Sequence, residues 1–518
     1  MNPRLAAAFK LLPNYLGQHV LLSAAALALG LVVSLPLAVA ASRGPRLRWA
    51  VLTVAGAVQT IPSLALLALF YPLLLALSAL TKSVFGIGFS ALGFLPSLLA
   101  LALYSMLPIL RNTVAGLTGV DAAIVEAARG VGMTDRQRLL QVELPLAAPV
   151  IMAGVRTAAV WTIGAATLST PVGQTSLGDY IFSGLQTEDW VLVLFGCAAA
   201  AGLALIVDQL LGLIETGTER RDMRRVAIGA LGLIAGVLVS VTPLLAAGSG
   251  PRPVVIGAKN FSEQYILADL MAARLKASGY AVSQKNDLGS AVAYQAVASG
   301  EIDAYVDYSG TLWANVLKRA DNPPRAVLLA QLTQALRQRD GVVLQGALGF
   351  ENAYALAMRR DRAQALGIKT LDDLARHAPD LTLGSDLEFL SRPEWTALQG
   401  AYRLKFKAER RFQPTFMYKA VAGGDADVIS AFSSDGRIAA DDLVVLADPR
   451  QAIPPYDAVI LVSARRAADP HFMAALHPLL GAIPVEAMRA ANLSVDRDRN
   501  KLTPAQAASD LAAKIGAR

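Results

Sequence analysis

A chain of 518 residues with 54% hydrophobic and only 17% charged side chains is too apolar for an ordinary soluble protein, where about a quarter of residues are charged. The net charge of +7 does not point to nucleic acid, because Arg43, Arg46, Arg48, Arg111, Arg220, Arg221, Arg224 and Arg225 stand at the ends of apolar runs, where basic residues mark membrane topology. The single cysteine, Cys197, excludes an internal disulfide.

Residues 11–42, 49–81, 83–110, 157–178, 190–207 and 226–251 contain no Asp, Glu, Lys or Arg. A helix crossing a bilayer core about 30 Å thick needs about 20 apolar residues. Six membrane helices are therefore predicted, at roughly 20–41, 51–80, 91–110, 147–168, 190–212 and 226–247. The first lacks a small-residue cleavage signal ahead of a soluble domain and reads as a retained helix rather than a removed signal peptide. Basic connections at Arg43–Arg48, from Arg111 to about Glu143, and at Arg220–Arg225 place these loops in the cytoplasm. The sixth helix then starts inside, so residues from about 250 onward are expected in the periplasm or outside the cell. The Gly- and Pro-rich linker from Gly248 to Pro253 marks the boundary between a membrane domain over 1–250 and an extracytoplasmic domain over 251–518.

The long cytoplasmic loop, near 121–145, contains Glu126-Ala127-Ala128, then Gly132 four residues on, then Val142-Glu143-Leu144-Pro145. Two alanines let a helix approach a partner closely, Gly132 permits a turn that larger side chains resist, and Glu126 offers a charge. An ordinary surface loop of helical propensity is the plain alternative. The full spacing resembles the EAA motif of ABC importer permeases, which forms a helix, a turn and a second helix docked on an ATPase subunit. From about residue 20 to 212 the chain resembles permeases of the osmoprotectant family, importers of glycine betaine, carnitine, choline and related quaternary amines. The segments that carry this are Glu126–Met133, Val142–Thr157 and Ile163–Leu168. A departure follows: many relatives have Gly-Ala-Gly-Gly-Leu-Gly next, where this chain has Val172-Gly173-Gln174-Thr175-Ser176-Leu177-Gly178. No Gly-x4-Gly-Lys-Ser/Thr phosphate loop occurs in the sequence, so a separate ATPase is implied.

Beyond residue 251 short apolar runs alternate with helical stretches. Strands are predicted at Val254–Gly257, Tyr280–Val282, Ala304–Asp307, Tyr354–Met358, Leu381–Gly384, Asp427–Ser430 and Val459–Val462, an α/β pattern. The segments Ile256–Gln264, Asp287–Ser290, Gly300–Thr311, Asn352–Leu356 and Ala431–Ile438 resemble the substrate-binding proteins of the same osmoprotectant family. The resemblance implies a two-lobed, periplasmic-binding-protein-like domain that closes on its ligand. A quaternary ammonium cannot donate a hydrogen bond from nitrogen and is held by aromatic faces. By family pattern the cage positions are Tyr308, Tyr354, Tyr418 and Phe432, the last replacing a tyrosine common in relatives. For any one of these aromatics taken alone, core packing is the commoner role. Arg392 is the candidate for a ligand carboxylate, with a plain surface arginine as its alternative. Asn260, Ser262, Gln264 and Ser290 are candidates for polar contacts from strand ends.

The four histidines lack metal-ligand spacing and no Ser-His-Asp or Cys-His set is present, so neither metal, cofactor nor enzymatic activity is expected. The resemblance implies a membrane-embedded dimer of this chain with two ATPase subunits, importing a quaternary amine. A larger betaine such as ergothioneine is the runner-up cargo. A clamshell sensor or ligand-gated channel is the alternative from another class, which would have no use for an ATPase-docking loop.

Overall fold

The computed structural model describes residues 3–86, 89–187, 189–247, 252–319, 321–497 and 499–516. Two compact units emerge, one of Met1–Gly184 with Trp190–Gly250, the other of Pro251–Arg518 with Leu185–Asp189.

The first unit is helical: α1 (Pro3–Ser42), α2 (Pro45–Thr60), α3 (Ser63–Phe85), α4 (Phe94–Thr118), α5 (Ala122–Gly130), α6 (Asp135–Arg138), α7 (Leu144–Ala166), α8 (Gly178–Gln186), α9 (Trp190–Glu219) and α10 (Met223–Ala247). Among the described residues six segments are long and apolar enough to cross a membrane: Ala8–Ser42, Ser63–Phe85, Phe94–Thr118, Asp135–Val172, Trp190–Glu219 and Met223–Thr242. One boundary needs correction. The span predicted at 51–80 is two helices, because Pro62 has no N–H to continue the ladder and forces the preceding Ile61 into extended backbone (φ −74°, ψ 127°). Only its second part, Ser63–Phe85, belongs to the six.

Helix α4 packs against α1 and α7. Leu107, Leu110 and Val114 close on Ala38 and Ala41 of α1, while Leu117 meets Ala147, Ile151 and Val155 of α7. A Cβ at Gly154 would lie 2.8 Å from the Pro108 carbonyl, so the two backbones touch where glycine allows it. Close approach through small residues is what holds helices together in lipid, where burial of apolar surface gives no drive. Charged groups pair between helices: Arg156 of α7 meets Asp208 (2.5 and 2.7 Å) and Glu215 (3.2 Å) of α9. His19 of α1 spans from the Ile163 carbonyl (3.0 Å) to the Leu177 N–H (3.3 Å).

The second unit contains β1 (Val254–Lys259), α11 (Ser262–Ala277), β2 (Val282–Leu288), α12 (Ser290–Ser299), β3 (Ala304–Tyr308), β4 (Val343–Glu351), β5 (Tyr354–Arg359), β6 (Thr382–Ser385), β7 (Ala408–Arg411), β8 (Val428–Phe432), β9 (Leu443–Val445) and β10 (Asp457–Val462). Two five-stranded sheets form, in the orders β2-β1-β3-β10-β4 and β7-β6-β8-β5-β9. Each centres one lobe. Strands β1 and β10 are buried on both faces, which is why they read as unbroken apolar runs. The chain crosses between lobes twice, through Asn352-Ala353 and back through residues 446–456.

Six of the seven predicted strands coincide with β1, β3, β5, β6, β8 and β10. The one placed at Tyr280–Val282 instead begins at Val282 and runs to Leu288 through the polar Ser283-Gln284-Lys285-Asn286-Asp287. Strands β4, β7 and β9 were not predicted. Gly346 and Gly349 interrupt β4, β7 is the charged edge sequence Ala-Glu-Arg-Arg, and β9 has three residues.

Candidate functional site

Between the lobes lies a cavity of about 150 Å³. The first lobe contributes Asn260 and Phe261, which link β1 to α11; Ser290, the first residue of α12; Tyr308, the last of β3; and Tyr456, just before β10. The second contributes Tyr354 and Phe432, placed opposite each other by the antiparallel register of β5 and β8, with Asp386, Glu388 and Arg392 from the segment after β6. Strand ends facing a crevice are the usual ligand position in α/β folds.

Five aromatic rings therefore wall one cavity. Tyr354 lies 5.0 Å from the Phe432 ring and 6.1 Å from Tyr456, with the Arg392 guanidinium 5.1 Å from its own centroid. Phe261 stacks on Tyr308 at 6.2 Å, and Lys259 Nζ lies 5.0 Å from the Tyr308 ring while held 2.5 Å from Asp307. The Tyr308 hydroxyl donates to Glu263 (2.6 Å) and accepts from the Gln264 amide (3.0 Å). Burial raises the Glu263 carboxyl above the usual range, opposed by donors from Tyr308, Asn492 and Asn352. Burial likewise raises Asp386, opposed by the Glu388 and Phe389 N–H groups. Two buried polar atoms of the lining, Tyr456 Oη and Asn352 Oδ1, have no hydrogen-bond partner among the described residues.

Of the sequence candidates, Tyr308, Tyr354, Phe432, Arg392, Asn260 and Ser290 line this cavity. Tyr418 does not. Its ring lies in a separate core with Met417 and Ile429, Arg437 covers it at 4.2 Å, and its hydroxyl accepts from the Phe432 N–H at 3.3 Å. Ser262 is turned away to Asp496 (2.5 Å), and Gln264 supports Tyr308 rather than reaching the cavity. Sequence reasoning missed Phe261 and Tyr456. Phe261 stands inside the Ile256–Gln264 segment that carries the family resemblance. Tyr456 precedes a strand whose Ala458 pairs with Tyr308, a register that only tertiary pairing reveals. Gly310 makes room for it, since a Cβ there would lie 2.6 Å from Tyr456 Cζ.

In the first unit, α5 starts at Asp121, which accepts from the Ala123 N–H, and the chain reverses at Gly132 with φ of +83°. Glu126 and Ala127 are exposed and Ala128 is buried. Thr134 and Gln137 form a capping box that starts α6. Glu143 is buried between Arg138 (2.9 Å) and Arg43 (2.6 Å), so Arg43, read from sequence as a topology marker, also ties the α1–α2 connection to this loop.

A model of the substrate binding domain of ABC-type glycine betaine transport systems matches residues 252–514, and one of the binding-protein-dependent transport system inner membrane component matches residues 29–220. The ergothioneine transport permease/ergothioneine binding protein EgtU of Helicobacter pylori is 29% identical over 426 residues, 79% of this chain and 74% of that protein. The glycine betaine/carnitine/choline transport system permease protein OpuCB of Bacillus subtilis is 41% identical over 199 residues, 38% of this chain and 84% of that protein. A crystal structure of a glycine betaine/carnitine/choline ABC transporter, 27% identical, covers 51% of this chain and 99% of its own, with a TM-score of 0.46. The chain belongs to the glycine betaine family of ABC importers and unites their inner-membrane permease and substrate-binding domain in one polypeptide, leaving ATP hydrolysis to a separate subunit.

Proposed function

We propose that this chain imports a quaternary ammonium solute of the glycine betaine, choline or carnitine type. The observation that carries the proposal is the cavity walled by Phe261, Tyr308, Tyr354, Phe432 and Tyr456, with Arg392 at its edge. Aromatic faces hold a trimethylammonium group through cation–π attraction, about 0.5–2 kcal/mol per ring, without needing a proton on nitrogen. The arginine suits a carboxylate at the other end of a betaine.

The basic loops support an orientation with α5 and α6 in the cytoplasm and the binding domain in the periplasm or outside the cell. Two copies of the chain, embedded in lipid, would supply the two permease halves and meet two ATPase copies through Glu126, Ala127, Ala128 and Gly132. The binding domain closes on solute and docks at the outer mouth. ATP binding draws the coupling loops together and opens the pathway outward, and hydrolysis resets it. Because the binding domain is tethered, its concentration at the dock is high whatever the solute supply.

A larger betaine such as ergothioneine is the second reading. The Helicobacter pylori relative, which aligns over both domains and is described as an ergothioneine permease and binding protein, favours it. Calorimetric titration of the full chain in lipid nanodiscs with glycine betaine, choline, carnitine, ergothioneine and ordinary amino acids decides between them. Tight binding of one quaternary amine, lost in Tyr308→Ala and Tyr354→Ala, is the expected result. Binding only of compounds without a quaternary nitrogen would overturn the cage.

A further inference from the structure

Beside the Tyr354 ring, the Arg392 guanidinium has three hydrogen-bond partners. Its Nε faces Glu394 at 3.3 Å, its Nη1 donates to Glu388 at 3.0 Å, and its Nη2 reaches Thr311 Oγ1 only at 3.5 Å, the limit of a hydrogen bond. The side chains of Arg392 and Glu394 are 8% and 1% exposed, whereas that of Glu388 is 64% exposed. The inner partner is thus permanent, the outer one lies at the solvent edge, and the second outward prong is barely used.

We infer that Glu388 occupies the place on Arg392 that a ligand's carboxylate takes, and yields it when such a ligand enters. Glu388 is then the residue that sets the preference between zwitterionic and purely cationic quaternary ammonium solutes. The inference rests on the quaternary ammonium reading given above.

Three observations converge on it. A carboxylate meets a guanidinium best through two parallel bonds, and Nη1 and Nη2 are the nitrogens whose partners, Glu388 and Thr311, line the cavity, while Nε turns to Glu394 outside it. Glu388 engages only one of that pair, so a ligand carboxylate placed there would gain the bond Glu388 makes and improve the one Thr311 makes poorly. An ion pair with an exposed carboxylate is weak, while a buried arginine requires an anionic partner, so exchange of one carboxylate for the other is cheap and removal of both is not. The Glu388 backbone is fixed by its N–H bond to Asp386 Oδ1 at 2.8 Å, so its side chain can swing without unmaking the wall.

The consequence is a bias. While Glu388 stays on Arg392, the two glutamates outweigh the one arginine, which favours a cation that brings no carboxylate. Glycine betaine and choline are the right probes, since both carry a trimethylammonium group and differ in bearing a carboxylate or a hydroxyl. In titrations of the full chain in nanodiscs, Glu388→Gln is expected to tighten glycine betaine by about three- to fivefold and to leave choline unchanged or weaker. Glu388→Ala, which removes the amide acceptor as well, should move the ratio of the two affinities the same way. A ratio that stays within about twofold of wild type in both variants, or moves toward choline, overturns the inference while the cage stands. Failure of the wild-type chain to bind either probe removes the quaternary ammonium reading and this inference with it.

Discussion

Removing the hydroxyl of Tyr308 leaves the buried Glu263 carboxylate one donor short, while the ring that lines the cleft is kept. Tyr308→Phe is therefore expected to cost about 1–2 kcal/mol of stability, read by thermal unfolding, with a smaller effect on affinity. Phe432→Ala should do the reverse, weakening a quaternary amine by about tenfold through loss of one ring face and its contact with Tyr354. Tyr418→Phe is expected to change affinity by less than about twofold, because that side chain lies outside the cavity. Asp496 adds a pH signature. Its carboxyl is raised to about 6, by burial first and with the nearby Asp435 adding to it, against the opposing effects of Arg437, Ser262 and Lys501. A carboxyl that holds its proton more tightly folded than unfolded makes the native state lose stability as pH climbs, here from about 4 to about 6. The melting temperature of the binding unit should fall over that window, and Asp496→Asn should flatten the slope. Six of the nine cleft candidates line the cavity; Tyr308, Tyr354 and Phe432 are terminal residues of their strands, and the segments that hold them are those that carry the family resemblance. Sequence pattern could not exclude Tyr418, whose helix Pro414–Gly423 turns the ring into a core of its own, or find Tyr456, which the pairing of β10 with β3 brings to the cavity.

At the scale of elements, the coupling loop is held by more than its helix formers. Glu143 lies between two arginines from different parts of the chain, so Glu143→Ala would take from Arg43 its carboxylate and leave buried Arg138 with only the exposed Asp135 (2.9 Å). That change is expected to lower the melting temperature of the permease by about 3 °C. Glu126→Arg should abolish ATP-driven uptake in reconstituted vesicles while solute binding stays at the wild-type level, since Glu126 is exposed and far along the chain from any cleft residue. Loss of solute binding in that variant would refute a coupling role. The elements themselves were legible wherever the apolar pattern was long: the six membrane segments and the two most deeply buried strands. They were illegible where pattern is short or interrupted. Pro62 divides one predicted span, and β7 buries too little to carry a hydrophobic signal.

On the scale of the whole molecule, the change of composition near residue 251 separates two units with cores of different chemistry. A single unfolding transition is not expected of such a chain. Scanning calorimetry in detergent should resolve two, and saturating solute at about a hundred times its Kd should stabilise only the binding unit, by about 2.7 kcal/mol. An equal shift of both transitions would argue against independent units. Within the binding unit the path of the backbone assigns the lobes unequal parts. The polypeptide enters at β1, and its final helix, Pro504–Lys514, packs on α11, so both ends belong to the lobe of Tyr308. The lobe of Arg392 and Phe432 hangs from Asn352-Ala353 and the return at 446–456. Helix Val485–Asp496, packed on the first lobe, also holds the second through Arg489 to the Ser433 carbonyl and Asn492 to the Ser434 carbonyl (both 2.9 Å). Closure on cargo is therefore expected as a swing of the second lobe about the two crossing segments and this contact. A fluorophore on the helix Pro393–Tyr402 would report that swing, and one on α11 would stay silent.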